Sequence, residues 1–116
     1  MSAIQVDATV YLAENEAVTT IYDTGAIDVQ QIELFSFDVS WQGGTSITGT
    51  VDLQVSNDKD GNFVAVDGST NRIGDDNGKH IYNVTNMGYR YMKLVINLTA
   101  GNSNFDIIFN SRSRRS

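Results

Sequence analysis

Apolar and polar residues alternate with a period of two along much of this chain. The alternation is clearest in residues 32–41, 48–56, 89–98 and 104–110. A strand that buries one face and exposes the other has this pattern, because successive side chains point to opposite sides. No stretch keeps an apolar period of about 3.6 residues long enough to predict a helix. The pattern therefore predicts an all-β protein.

Clusters of Gly, Asn and Asp divide the chain into seven or eight predicted strands. We expect the first strand at residues 4–11, a turn at 12–16 and a second strand at 17–22. Residues 67–79 are mostly polar and are interpreted as a loop, longer than most connections in a compact domain. Short strands at this spacing predict a sandwich or a barrel. We therefore expect a single-domain antiparallel β-sandwich, jelly-roll-like, over residues 1–111.

The aromatic residues fall mainly at strand positions that predict a core. Trp41 shares one face of its strand with Phe37, and that face is otherwise apolar. Burial between two sheets is therefore the favoured interpretation for Trp41. The alternative is a sugar-binding platform in which Trp41 joins Tyr82, Tyr89 and Tyr91.

Some apolar residues have no predicted place in the core. Tyr91 and Val95 lie on the side of their strand opposite to Leu94 and Ile96, and Ile108 lies on the outer side of the last strand. Either these strands are buried on both sides or their second faces meet a partner. Exposed apolar positions on a small domain commonly mark interfaces. We expect contacts with copies of this chain or with other proteins.

Charge is distributed unevenly along the chain. Its 116 residues carry eight basic and fourteen acidic side chains, a net charge of −6. Arg112, Arg114 and Arg115 belong to the segment 112–116, which we expect to be a solvated basic tail; the alternative is contact with an acidic partner. The remainder holds five basic (8 − 3) and fourteen acidic residues, a net charge of −9. Nucleic acid is bound by basic surfaces, so we expect no nucleic-acid partner.

Several classes of site and location are not expected from the composition. The chain has no cysteine, which excludes disulfides and thiolate chemistry. Residues 1–18 lack a basic segment followed by an apolar one, so we expect no signal peptide. No apolar run approaches the roughly 20 residues that a membrane-spanning helix requires.

The most specific local motif is the loop that contains Asp58, Asp60 and Asn62. Their oxygen atoms are spaced as in the opening of an EF-hand loop, and Ca²⁺ prefers such ligands. The motif then departs from that loop, because Phe63 stands where glycine is required and Ser69 where glutamate is required. A polar hairpin loop is the favoured interpretation, and we predict no metal site.

No arrangement of residues predicts catalysis. His80 is the single histidine, and no serine or acid has a fixed relation to it. No glycine-rich phosphate loop lies between a strand and a helix. We therefore predict a protein that is not an enzyme and that uses no cofactor.

Several segments resemble small β-sandwich structural proteins of bacteriophage virions. They are residues 35–41, 49–58, 62–66, 81–84 and 88–94. More widely, the same segments are similar to discoidin-like jelly rolls. The resemblance implies a non-enzymatic virion protein that is capsid-associated, a decoration or cement protein, or part of a spike or fibre base. It implies action through self-association or through docking on other virion proteins, and it assigns no catalytic residue.

The alternative function is a jelly-roll carbohydrate-binding module in which Asp58, Asp60 and Asn62 hold Ca²⁺. Such a module requires two or three aromatic side chains on loops or on one exposed face. Most aromatic residues of this chain lie at core positions of strands instead. The sequence therefore favours the virion protein.

Overall fold

The computed structural model describes residues 7–30, 32–85 and 88–113. This part of the chain contains ten strands and no helix. The strands are β1 (Asp7–Val18), β2 (Ile21–Asp23), β3 (Ile27–Asp28), β4 (Ile32–Gln42), β5 (Thr48–Ser56), β6 (Val64–Ala65), β7 (Asn71–Ile73), β8 (Gly78–Thr85), β9 (Tyr91–Ala100) and β10 (Ser103–Ser113).

The strands form two antiparallel sheets. The four-stranded sheet has the order β1-β10-β4-β8, and the six-stranded sheet has the order β2-β9-β5-β6, with β3 also on β9 and β7 also on β5. Two positions each hold a pair of short strands, so the ten strands occupy eight positions (10 − 2). Eight strand positions in two facing sheets are typical of a jelly roll. The predicted antiparallel β-sandwich is confirmed, although the strand count is ten rather than seven or eight.

The core lies between the two sheets and follows the alternation of the sequence. Phe37, Val39 and Ile107 of the four-stranded sheet and Val51 and Leu94 of the six-stranded sheet are fully buried. Each is flanked along its strand by more exposed residues, because neighbouring side chains point to opposite faces. The alternation in the sequence thus identifies the inner faces of β4, β5, β9 and β10.

The turn expected at residues 12–16 is wrong, because β1 continues through this segment to Val18. Its register against β10 shifts between Tyr11 and Ala13 and again between Ala13 and Glu16. These irregularities accommodate extra residues without ending the strand. Asn15 has a φ of 49°, and its backbone N–H donates to Asp106 Oδ1 of β10 at 2.7 Å. Residues 12–16, which resemble a turn in the sequence, are therefore held in the sheet by the adjacent strand β10.

Two other boundaries differ from the sequence prediction. The strand expected at 17–22 is divided, since β1 ends at Val18 and β2 begins at Ile21 in the other sheet. The segment 67–79 is not one polar loop, because it contains β7, whose Ile73 is fully buried. In both places the chain enters the six-stranded sheet, where pairing of β2 with β9 and of β7 with β5 determines which residues form the strand.

At the end of the chain, β10 continues past residue 111. The backbone of Arg112 pairs with Leu34 and that of Ser113 with Ile32, both in β4. Arg114 and Arg115 of the expected tail, and the beginning of the expected first strand at residues 4–6, lie outside the described residues.

Candidate interaction surfaces

Trp41 lies in the core, as predicted, and is 5% exposed. Its ring packs at 5.8 Å from the ring of Phe105, and its Nε1–H donates to the carbonyl of Asp75 at 2.8 Å. Gly78 lies opposite Trp41 in the register of β4 and β8. A Cβ atom on Gly78 would meet the Trp41 ring, so the absence of a side chain there makes room for the indole.

Tyr82 is buried as well, and its hydroxyl connects the two sheets. From β8 of the four-stranded sheet, the hydroxyl lies 3.0 Å from the carbonyl of Val51 in the six-stranded sheet and 2.7 Å from that of Ser69. It accepts a hydrogen bond from the amide of Asn71 at 3.0 Å. Burial raises the pKa of the Tyr82 hydroxyl above its ordinary value, and the charge of Asp52 raises it further, while the bond from Asn71 opposes the shift.

The expected aromatic platform is not formed by these residues. Trp41 and Tyr82 face the interior, whereas Tyr89 is 43% exposed at one end of the sandwich. Tyr91 is half-buried on the outer side of β9, with the guanidinium carbon of Arg90 at 5.2 Å from its ring centroid. The four rings therefore do not lie together on one exposed surface.

The loop of Asp58, Asp60 and Asn62 forms a tight turn that uses its own oxygen atoms. Asp58 Oδ1 accepts the backbone N–H of Asp60 at 3.1 Å, and the Asp58 carbonyl accepts that of Gly61 at 3.1 Å. These bonds are those of a polar hairpin loop, in which Asp and Asn side chains satisfy the local backbone. Across the described ranges, no three His, Cys, Asp or Glu side chains converge to hold a metal ion.

His80 has a packing role beside Trp41. The two rings lie 5.4 Å apart, and His80 Nε2 lies 3.1 Å from the carbonyl of Arg72. In the register of β8 and β4, His80 is opposite the buried Val39. The histidine therefore closes one edge of the core.

Exposed apolar side chains form a row on the outer face of the four-stranded sheet. We call Tyr11, Ile108, Asp38 and Ile81 the outer row, because strand register places them side by side on β1, β10, β4 and β8. Tyr11 and Ile81 are each 58% exposed, and Ile108 is half-buried between them. The row crosses the whole width of the sheet.

The acidic member of the outer row is paired. Asp38 Oδ2 lies 3.1 Å from Lys79 Nζ on β8. A polar row runs beside it, in which the Thr9 hydroxyl donates to Asn110 Oδ1 at 2.8 Å. A small apolar patch with a polar margin is a common form of protein–protein interface.

A second surface lies at the end of the sandwich that carries Tyr89. Two adjoining clefts, of about 360 Å³ and about 480 Å³, share Tyr89 and Asn57 in their walls. The smaller is also lined by Gln30 and Arg90, and the larger by Asn62 and other residues of the segment 62–67. Asn62, first considered as a Ca²⁺ ligand, therefore faces a cleft.

Neither cleft was predicted from the sequence as a site. Asn57 and Tyr89 are brought together by the pairing of β5 with β9, in which Ser56 lies opposite Tyr91. Tyr89 belongs to the alternative sugar platform and Asn62 to the alternative Ca²⁺ loop, whereas nothing in the sequence distinguished Asn57. No helix among the described residues is long and apolar enough to span a membrane.

The chain is similar in fold to solved structures that include a prophage-derived protein and viral proteins. The chain is similar to the SPBc2 prophage-derived protein YomS, with a TM-score of 0.61 and 13% identity, over 97% of this chain and 98% of that one. It is also similar to VP2 in a subviral particle of infectious bursal disease virus, with a TM-score of 0.63 and 10% identity. That match covers 97% of this chain but 33% of the VP2 chain.

A further match is a structure of the Gx strain of the same virus, with a TM-score of 0.56 and 10% identity, over 99% of this chain and 39% of that one. No protein-family model and no curated protein sequence matches the chain. At these identities the likeness is one of fold. The resemblance to virus-encoded β-sandwich proteins that the sequence segments suggested is confirmed at that level.

Proposed function

We propose that the chain is a non-enzymatic structural protein of a bacteriophage virion. It acts on the capsid, as a decoration or cement protein, or in a spike or fibre base. The observation that carries the proposal is the shared jelly-roll fold, which extends over 97% of this chain in the matches with the prophage-derived protein and with VP2 of a subviral particle. The prophage-derived protein is matched along nearly its whole length, so this fold also exists as a separate chain of viral origin.

The outer row gives this proposal a contact surface. Tyr11 and Ile81 expose apolar area on the edge strands of the four-stranded sheet, where unpaired backbone groups also favour association. Burying apolar surface contributes about 25 cal/mol per Å² removed from water. The outer row therefore supports self-association, or docking of this face on another virion protein.

The test of the contact surface is the solution mass of the full chain by light scattering on a sizing column. We expect the mass of a defined oligomer of two or more chains. We expect Ile81→Asp to lower this mass, because the substitution replaces an exposed apolar side chain of the outer row with a second negative charge beside Asp38. Ile21→Asp is the matched control, because Ile21 is 64% exposed and lies on the other sheet. Equal effects of the two substitutions would contradict a role for the outer row.

Location in a virion is tested separately. We expect peptides of this chain in purified, nuclease-treated phage particles analysed by mass spectrometry, in a fixed ratio to the major capsid protein. Absence from the particles, with the chain present in the lysate, would refute the proposed function. A monomer in solution that is present in particles would assign the outer row to docking rather than to self-association.

A further inference from the structure

The two clefts beside Tyr89 have the volume of a ligand site and are lined by polar and aliphatic side chains around this one aromatic residue. Their volumes of about 360 Å³ and about 480 Å³ lie within the range of about 300–1,000 Å³ that is common for small-ligand pockets. Tyr89 lines both, so one ligand that contacts this residue can extend into both clefts. This surface is at the end of β5 and the start of β9, away from the outer row on the four-stranded sheet.

The walls of the smaller cleft are fixed to the core. The backbone N–H of Val29 donates to the carbonyl of Arg90 at 2.8 Å, and the Val29 side chain is buried. The Arg90 guanidinium lies 3.4 Å from Asp28 Oδ2 through both Nε and one terminal nitrogen. Gln30 N–H in turn donates to Asp28 Oδ1 at 3.0 Å. A site held in this way loses little conformational freedom when a ligand binds.

Asn57 supplies an oriented hydrogen-bond donor at the junction of the clefts. Its Oδ1 accepts the backbone N–H of Arg90 at 3.0 Å. Since a backbone N–H requires an acceptor, this bond fixes which end of the amide is oxygen. The NH₂ group of Asn57 makes no hydrogen bond to any described residue, and neither do the side-chain amides of Gln30 and Asn62.

These groups match the chemistry of a sugar. A pyranose ring has an apolar C–H face that packs on an aromatic ring, while its hydroxyls pair with amide and carboxylate side chains. Tyr89 supplies the ring, Asn57 and Asn62 the amides, and Asp67 a carboxylate. Arg90 is engaged by Asp28, and the chain has a net charge of −6, so the site does not favour an anionic ligand.

We propose that the two clefts beside Tyr89 bind a neutral saccharide of at least two sugar units, one in each cleft. Binding requires no Ca²⁺, because the ligand groups are the tyrosine ring and side-chain amides. This site is independent of the proposed structural role, since it uses other residues on another surface of the molecule.

The test measures binding of the full chain to defined oligosaccharides by saturation-transfer NMR and calorimetry. The probes are maltotriose, cellotriose, mannotriose and triacetylchitotriose, with sialyllactose as the anionic comparison, each in the presence of a chelator. We expect at least one neutral probe to bind and sialyllactose to bind more weakly. Failure of all four neutral probes at millimolar concentration, or preference for sialyllactose, would overturn the proposal.

Two substitutions then locate the site. Tyr89→Ala is expected to reduce affinity about tenfold or more, as for loss of an aromatic anchor. Ile21→Ala removes an exposed side chain that lies outside both clefts and outside the outer row, and it is expected to leave affinity unchanged. Asn57→Asp keeps the acceptor for Arg90 N–H but removes the donor, and it is expected to weaken binding several-fold, as for loss of a hydrogen bond at a neutral group.

The fold of each variant is checked by its melting curve. If Asn57→Asp is unstable, Asn62→Ala tests the same amide chemistry at another residue of the larger cleft. Equal affinities of Tyr89→Ala and Ile21→Ala would refute a site at these clefts, whatever the probe.

Discussion

Replacing Tyr82 with phenylalanine removes the hydroxyl that joins the two sheets while it keeps the buried ring. The hydroxyl lies 2.7 Å from the Ser69 carbonyl and 3.0 Å from the Val51 carbonyl, and it accepts from the Asn71 amide. The side chain is 9% exposed, so water does not readily replace it. The substitution therefore tests how much this polar connection stabilises the sandwich.

The expected cost follows from the groups that lose a partner. A buried polar group left without its hydrogen bond costs about 1–3 kcal/mol. The Ser69 carbonyl keeps a longer contact with the Asn71 amide at 3.4 Å, which limits the loss. Because the ring remains, no cavity contributes. We therefore expect Tyr82→Phe to lower the free energy of unfolding by about 2 kcal/mol.

Urea denaturation measures this change. The fluorescence of Trp41, the single tryptophan and a buried one, reports unfolding. With a urea dependence of about 1–3 kcal/mol per M, the midpoint moves by about 1 M. Tyr11→Phe is the control, because Tyr11 is 58% exposed and none of the hydrogen bonds described above involves its hydroxyl.

The pH dependence of the stability difference between wild type and Tyr82→Phe gives an independent check. Burial raises the pKa of Tyr82 in the folded chain, so the unfolded chain loses this proton first as the pH rises past about 10. Ionisation then favours the unfolded state, and the stability contributed by the hydroxyl is complete below that pH and lost above it. The difference in the free energy of unfolding between wild type and Tyr82→Phe should therefore become smaller at alkaline pH.

Two results would refute this reasoning. One is a Tyr82→Phe midpoint that matches that of Tyr11→Phe at neutral pH. The other is a stability difference that stays constant through the alkaline range, because that would mean the hydroxyl ionises equally in both states.

Three further outcomes are expected. Trp41→Ala lowers the free energy of unfolding by about 3–5 kcal/mol, measured by circular dichroism in urea, since the indole fills the core beside Phe105; a change under about 1 kcal/mol would contradict that position. Gly78→Ala lowers it by about 1–3 kcal/mol in the same assay, because the added methyl group meets the Trp41 ring. Millimolar Ca²⁺ leaves the melting temperature unchanged, because Asp58 already accepts two backbone N–H groups; a rise that Asp58→Ala abolishes would establish a Ca²⁺ site.

The inner faces of β4 and β5 were predictable from the sequence. Phe37, Trp41 and Leu53 alternate with polar neighbours, and the pleat of a strand converts this order directly into inside and outside. The limits of the strands were less predictable. Residues 12–16 resemble a turn, yet β1 continues through them because Asp106 of the distant β10 accepts the N–H of Asn15.

The candidate surfaces were also only partly predictable from the sequence. The sequence placed Ile108 on an outer face, and the structure adds Tyr11 and Ile81 as its neighbours across the sheet. It also grouped Tyr89 with Trp41 on a possible sugar platform, although only Tyr89 is exposed. Which side chains are adjacent depends on strand register, and register is a relation between segments far apart in the chain.

The sequence by itself determined that this protein is all-β and favoured a sandwich with Trp41 inside, because the period of hydrophobic residues is a local property of each strand. Only the tertiary structure decided that Tyr11 and Ile81 share the outer row and that Asn57 meets Tyr89 at the clefts. Those contacts follow from the pairing of β1, β8 and β5 with their partners. Such pairing is set by the burial of the whole core, to which each strand contributes only one part.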